Sequence, residues 1–177
     1  MMNITILSSI FPSAKLSKLD AYLPHINACM KEFDINTNLR QSAFIAQIGH
    51  ETCQFNFLTE LWGPTPAQKK YEGRKDLGNI REGDGKRYKG RGAIQLTGRT
   101  NYIKYGKLLN LDLENNPELA ALPENAFRIA GQFWKDHGLN ELADKSDFET
   151  ITRRINGGLN GFVERLEFYN KAKRLLV

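Results

Sequence analysis

Two glutamates, Glu51 and Glu60, stand nine positions apart (60 − 51) in surroundings that differ sharply. Glu51 closes a stretch, Asn36 to Cys53, whose apolar residues Leu39, Ala43, Phe44, Ile45, Ala46 and Ile48 face nearly every direction of a helix. Such a helix belongs in a core rather than on a surface. At its C-terminal end the helix dipole is negative, and neighbours such as Ile48 and Phe55 withhold water. Both effects favour the neutral acid, so Glu51 is expected to keep its proton to higher pH than an ordinary glutamate, as a general acid must. Glu60 follows the helix among polar and aromatic residues, Thr59, Trp62 and Phe57, where an ionised carboxylate can act as a base. Two carboxyl groups driven to opposite protonation states are the equipment of glycoside hydrolysis. The pair alone does not separate that reading from two surface charges.

Other chemistries lack their parts. His50-Glu51 opens like a zinc-protease helix, but Gln54 occupies the position of the second ligand. Three histidines and two separated cysteines make no metal-binding spacing, so no metal is expected. Gly90-Arg91-Gly92 is followed by Gln95 where a dinucleotide fingerprint needs glycine. Cys53 three positions after His50 has no third group to orient a thiol nucleophile, and core packing is the plainer role. The Arg74–Arg91 stretch holds seven cations diluted by Asp76, Glu82 and Asp84, with Tyr88 its one interleaved aromatic, so nucleic acid is not an expected partner.

The elements that must hold these residues are mostly helical. Leu23, Ile26, Met30 and Phe33 recur at helical spacing, with Asp20 as the expected cap and Pro24 in the first turn. From Gly63 to Gly92 the periodicity fails under two prolines and seven glycines, which predicts a functional loop region with short strands. Helical patterning returns at Asn101, again from Pro123 to Gly138, then around Phe148–Ile155, and last from Phe162 to Leu176. With 177 residues, 41% hydrophobic, the chain can bury one core, and wholesale disorder is excluded. No stretch is apolar enough to span a bilayer, and the last helix is read as core rather than as a membrane surface anchor. The segment before Pro12 lacks a basic start and is broken by Asn3, Thr5, Ser8 and Ser9, which is poor signal-peptide material. Cys29 and Cys53 are read as free thiols of a protein made in the cytoplasm. A net charge of +5 suits an anionic polymer as partner, or plain solubility.

Four ordered strings then carry a resemblance. Phe44-Ile45-Ala46-Gln47-Ile48-Gly49-His50-Glu51, Arg87 to Gly98 (RYKGRGAIQLTG), Thr152 to Gly158 (TRRINGG), and Arg165 with Phe168-Tyr169 resemble glycoside hydrolase family 19, the plant-type chitinases and their phage endolysin relatives. The resemblance covers about Asn36 to Leu176, and Leu61-Trp62-Gly63-Pro64-Thr65 is closer to the endolysins. It implies a lysozyme-like, mainly α-helical domain of two lobes over residues 1–177, with the irregular Gly-rich region around the cleft and no separate wall-binding domain. It implies Glu51 as proton donor, Glu60 as the carboxylate that activates water, and Thr97 as the hydroxyl that helps hold that water. Gln95, Asn101, Asn156 and Arg165 are implied to line the cleft and orient the sugar or the carboxylates, Tyr88 to be an aromatic of the same wall. Trp62 is balanced between core and sugar stacking, Arg91 is assigned to tying down its loop, and Asn160 falls where some relatives place an acid.

The expected reaction is inverting hydrolysis of a β-1,4 bond beside N-acetylglucosamine, with no metal or organic cofactor and carboxyl groups about 6.5–9.5 Å apart. The expected substrate is peptidoglycan, in an endolysin-type, bacteriolytic role, with chitin as the alternative and a catalytically inactive wall-sugar-binding module as the alternative outside enzymes. The protein is expected to act as a monomer on the wall after release, by holin-type or lysis-dependent export, without stable membrane insertion.

Overall fold

A computed structural model describes residues 2–176. Its elements are helices: α1 (Ile4–Ile10), α2 (Leu16–Glu32), α3 (Asn38–Glu51), α4 (Pro66–Lys69), α5 (Asp84–Arg87), α6 (Arg99–Leu109), α7 (Pro123–Asp136), α8 (Leu139–Asp144), α9 (Phe148–Asn156) and α10 (Phe162–Leu175). Among the described residues, extended pairing is limited to two isolated antiparallel bridges, Thr59 with Arg91 and Arg91 with Leu96. The short strands expected between Gly63 and Gly92 are therefore replaced by single turns of helix and these bridges.

Helix α3 runs through the core. Thr37 caps it by accepting from Arg40 N, and the eight residues Ser42 to Gly49 are all buried. Helix α10 packs along it most closely, with α8 and α9 alongside. Phe44 meets Trp134 of α7 edge to face with ring centroids 5.3 Å apart, a favourable aromatic geometry. Gly49 is forced by packing: a Cβ there would lie 2.2 Å from the Phe11 ring.

Three boundaries depart from expectation for identifiable reasons. Helix α2 starts at Leu16 after Lys15 rather than at an Asp20 cap, so Pro24 sits inside it. The carbonyl that Pro24 leaves without its helical donor belongs to Asp20, an exposed residue. The mildly apolar N-terminal segment is helix α1, with Leu7 and Ile10 in the core and Asn3 as its cap. The stretch between Gly138 and Phe148, to which the sequence pattern assigns no element, contains α8, whose Leu139 and Ala143 are buried.

Candidate active site

Glu51 is the last residue of α3, and its side chain is 16% exposed. Arg165 of α10 reaches it, with Nη2 2.5 Å from Glu51 Oε1. The same guanidinium donates through Nη1 to Gln47 Oε1 at 2.6 Å and through Nε to the Asn160 carbonyl at 3.2 Å. Gln47 and Glu51 are four positions apart and share a face of α3, which lets one arginine bridge both. Gln47 is oriented in turn by Thr152 of α9: its Nε2 donates to Thr152 Oγ1 at 2.8 Å, and that hydroxyl donates to the Phe148 carbonyl at 3.0 Å. Gln47, Thr152 and Arg165 are at most 1% exposed. The apolar surroundings expected for Glu51 are thus replaced by an ion pair with Arg165. A second contact closes the same helix end, where His50 Nδ1 pairs with Glu164 Oε2. Gly161, with φ +69°, opens α10 so close to α3 that a Cβ would lie 2.2 Å from the His50 ring.

The chain then turns back through a run of left-handed residues, Cys53 (φ 49°), Gln54 (φ 56°) and Phe55 (φ 62°). Each such non-glycine residue costs about 1–2 kcal/mol. The turn is over-determined: Phe55 N donates to Thr52 Oγ1 at 2.9 Å, Gln54 N to the Gly49 carbonyl at 2.6 Å, and the buried Phe55 ring meets Phe11 at 5.0 Å. This reversal brings Glu60 back toward Glu51.

Glu60 is held by three donors. Gly90 N lies 2.9 Å from Oε2; Gln68 Nε2 and the Tyr71 hydroxyl lie 3.0 and 3.3 Å from Oε1. Glu60 N returns a bond to the Gly90 carbonyl at 2.9 Å, locking the two loops together. Gln68 is aimed by its own capping box: its Oε1 accepts from Thr65 N at 2.8 Å, which leaves the amide nitrogen for Glu60. Burial, reinforced by the Glu60 charge, pushes the Tyr71 hydroxyl above its ordinary pKa, so it stays a donor.

Gly90 is where the site converges. A Cβ there would lie 2.7 Å from Gln95 Oε1, 3.2 Å from Glu60 Oε2 and 3.4 Å from Thr97 Oγ1. Glu51, Glu60 and Gln95 line one pocket of about 280 Å³ with Cys53, Phe57, Thr59 and Leu61. Gln95 also lines a second pocket of about 270 Å³ with Thr97, Asn101, Lys104 and His137. Phe57 and Leu61 are exposed, a ready apolar rim for a sugar ring.

Of the residues named from sequence, Glu51, Glu60, Gln95, Thr97 and Asn101 are thus gathered in two adjoining pockets. Asn101 Nδ2 donates to the Thr97 carbonyl at 2.8 Å, which fixes the start of α6 beside Thr97. Two of the named binding residues do not reach the surface. Tyr88 is 1% exposed, its hydroxyl bonded to the Glu114 carbonyl at 2.9 Å and its ring covered by Arg99, so it supports the wall from behind. Arg165 is equally buried and orients Glu51 rather than a sugar. Asn156 ends α9, and its Oδ1 is buried with no hydrogen-bond partner. Trp62 is half-buried and inclined against Tyr71, centroids 6.2 Å apart. Arg91 ties its loop as expected, donating to the Arg87 carbonyl at 2.8 Å and the Tyr102 hydroxyl at 2.9 Å. Asn160 serves through its backbone carbonyl. Gln47, Gln68, Tyr71 and Thr152 were missed from sequence. Thr65-Pro66-Ala67-Gln68 carried a signal for one of them, since T-x-x-Q is a capping-box pattern. Among the described residues, no group of three or more His, Cys, Asp or Glu side chains is arranged to hold a metal ion.

A helical scaffold that presents two glutamates to one pocket, one against a guanidinium and one against three hydrogen-bond donors, has the parts that glycoside hydrolysis requires. Comparison with known proteins makes the family explicit. The family model described as chitinase class I, glycoside hydrolase family 19, matches residues 23–156. A glycosyl hydrolase family 19 domain-containing protein of Haemophilus influenzae is 33% identical over 92% of this chain and 90% of its own length. An endochitinase of Arabidopsis thaliana is 36% identical over 66% of this chain, which corresponds to 39% of that protein. The fold is that of chitinase C from Streptomyces griseus, with TM-score 0.76 at 20% identity over 98% of this chain and 76% of that one. A bacterial family 19 chitinase superposes with TM-score 0.74 at 23% identity, over 98% and 94% of the two chains. The chain belongs to glycoside hydrolase family 19.

Proposed function

We propose that this glycosidase cleaves β-1,4 bonds of peptidoglycan by inversion, acting on the bacterial wall in an endolysin-type role. The observation that carries the chemistry is the shared pocket of Glu51 and Glu60, one carboxyl backed by a guanidinium and the other by three hydrogen-bond donors. Glu51 gives its proton to the leaving glycosidic oxygen, and Arg165 stabilises the carboxylate left behind. Glu60, fixed and acceptor-only, takes a proton from a water that attacks the anomeric carbon from the opposite face. Thr97 Oγ1, near Glu60 around Gly90 and with its own hydrogen donated to the Gln95 carbonyl at 2.9 Å, accepts the second hydrogen of that water in this reading. Gln95, Thr97, Asn101 and Asn156 serve the N-acetyl sugars along the cleft, and Trp62 and Phe57 offer them apolar faces.

Peptidoglycan is favoured by the net charge of +5, which suits a wall rich in anions, and by a bacterial relative that aligns over nearly its whole length. Chitin is the second reading, favoured by the endochitinases among the relatives. The protein acts as a monomer after release from the cytoplasm in this reading. The test is turnover on purified peptidoglycan and on chitin oligomers, with the new reducing end identified. Release of reducing N-acetylmuramic acid supports a muramidase; activity on chitin oligomers alone defeats the peptidoglycan reading. Glu51→Gln should abolish turnover and keep sugar binding. Equal turnover by that variant would remove Glu51 from the reaction.

A further inference from the structure

Behind the loop that carries the water-activating side lies a pocket of about 400 Å³ lined by Lys86, Arg87, Lys89, Arg91, Gly83 and Pro117. Four of these six residues are cations and none is acidic. Among the described residues, no carboxylate lies within ion-pairing distance of any of the four. Two of the acids around this loop are engaged elsewhere: Asp84 pairs with Arg99 at 2.7 Å, and so does Glu114 at 3.0 Å. Arg87 and Arg91 are held in place by neutral partners only. Arg87 Nη2 donates to the Asn115 carbonyl at 2.7 Å and Arg91 Nη1 to the Arg87 carbonyl at 2.8 Å, and each guanidinium lies near a tyrosine ring. The four are oriented and not ion-paired, while Arg87 also borders a neighbouring pocket with Glu82, Asp84 and Glu114, and the Glu60 charge acts on Lys89. Burial and the adjacent Arg91 draw the Lys89 ammonium below the ordinary lysine range, as expected where like charges are crowded.

The pocket is joined to the active site along the chain by three successive residues. Gly90 faces Glu60, Gln95 and Thr97, while its neighbours Lys89 and Arg91 line the cationic side. Arg91 also bridges to Thr59, which lines the pocket of the two carboxylates. A polymer lying in the cleft therefore passes within a loop's thickness of four unpaired cations. Chitin is neutral and gives such a pocket nothing to bind. Peptidoglycan carries carboxylates on the peptide side chains of every second sugar.

We propose that the Lys86–Arg87–Lys89–Arg91 pocket binds carboxylates of the peptidoglycan side chains and so selects a substituted, anionic strand over a neutral one. The inference rests on the peptidoglycan reading above, and its test separates the two. Purified peptidoglycan, freed of phosphate polymers, is compared with the same material after its carboxylates have been converted to amides with a carbodiimide and ammonium. For the unmodified protein, kcat/KM on native strands should exceed that on amidated strands by about tenfold, from two or three exposed charge pairs each worth at most about fivefold. The advantage should shrink as salt is raised. In Lys86→Glu and in Lys86→Gln/Lys89→Gln the ratio of native to amidated turnover should fall toward one. Because the readout is a ratio, partial loss of folded protein does not alter it. Cleavage of native and amidated strands at equal kcat/KM overturns the pocket assignment while leaving the peptidoglycan reading intact. So does a ratio unmoved by both variants. Cleavage of neither, with chitin oligomers hydrolysed, overturns both.

Discussion

Thr152 touches no substrate, yet replacing it with valine should slow the chemical step. The side chains are nearly isosteric, so the change removes hydrogen bonds and little volume. Thr152 Oγ1 spends its hydrogen on the Phe148 carbonyl, so it can only accept from Gln47 Nε2. That polarity turns Gln47 Oε1 toward Arg165 Nη1 at 2.6 Å, and Arg165 Nη2 is thereby set against Glu51. Valine offers no acceptor, and the buried Gln47 NH2 loses its partner at a cost of about 1–3 kcal/mol. Taking about 2 kcal/mol, Tm should fall by about 4–8 °C for a chain of this size. A rotated amide would set donor against donor at Arg165, and Glu51 would lose its fixed geometry. Misplacement on the ångström scale costs up to about 10²-fold in rate, so kcat should drop about tenfold to a hundredfold while KM barely moves. Steady-state kinetics well below the melting temperature read both parameters. Thr152→Ser keeps the hydroxyl and should recover kcat. A valine variant with unaltered kcat, or a serine variant as slow as valine, would refute the relay from Thr152 to Glu51.

Gly90→Ala should lose activity at least tenfold with a smaller loss of stability, because the added methyl lands 2.7 Å from Gln95 Oε1 and 3.2 Å from Glu60 Oε2; kinetics beside a thermal melt separate the two effects. Cys53→Gly should raise stability by about 0.5–1 kcal/mol, since φ 49° is strained for cysteine and free for glycine. Denaturant titration checks it, and a destabilised variant would contradict the strain assigned to that turn. Asp84, buried against Arg99 with Nη2 at 2.7 Å, is held below the ordinary carboxylate range chiefly by that guanidinium. A folded-state value below the unfolded one means its contribution is complete above about pH 4 and is lost as pH falls through the folded value. Asp84→Asn should therefore cost about 3–5 kcal/mol at pH 7 and flatten the loss of stability in acid. Melts from pH 7 to pH 2 would read both; parallel acid profiles for the two proteins would contradict the assignment.

The sequence was most informative where one residue type met one demand. The all-round apolar pattern of Leu39 to Ile48 admits only a buried helix, and α3 is one. Pro123 and Gly138 bracket α7 as an N1 proline and a left-handed stop should. Helix α1 was less legible because seven residues give two turns of pattern, too few to distinguish from any mildly apolar run. Pro24 misled because the local rule of proline in the first turn did not hold here: the helix starts at Leu16, two turns earlier, and the orphaned carbonyl belongs to the exposed residue Asp20. In the site, Glu51 and Glu60 were singled out by the ordered motifs rather than by their surroundings, since Glu51 meets Arg165 and not only the apolar neighbours expected; Tyr88 and Arg165 were not readable as buried. Their motif positions carry no information about which way the side chain turns, and only α3 packed along α10 reveals that Arg165 points inward. Gln47 and Thr152 are 105 positions apart, so their pairing is purely tertiary.

The division of labour between Glu51 and Glu60 is tested most directly by the anomeric configuration of the product at the moment of cleavage. Proton NMR of a fresh digest, followed before mutarotation equalises the anomers, reads it. Water delivered by Glu60 from the face opposite Glu51 predicts that the α-anomer of the new reducing end appears first. Initial release of the β-anomer, the outcome of retention through a covalent intermediate, would contradict the account.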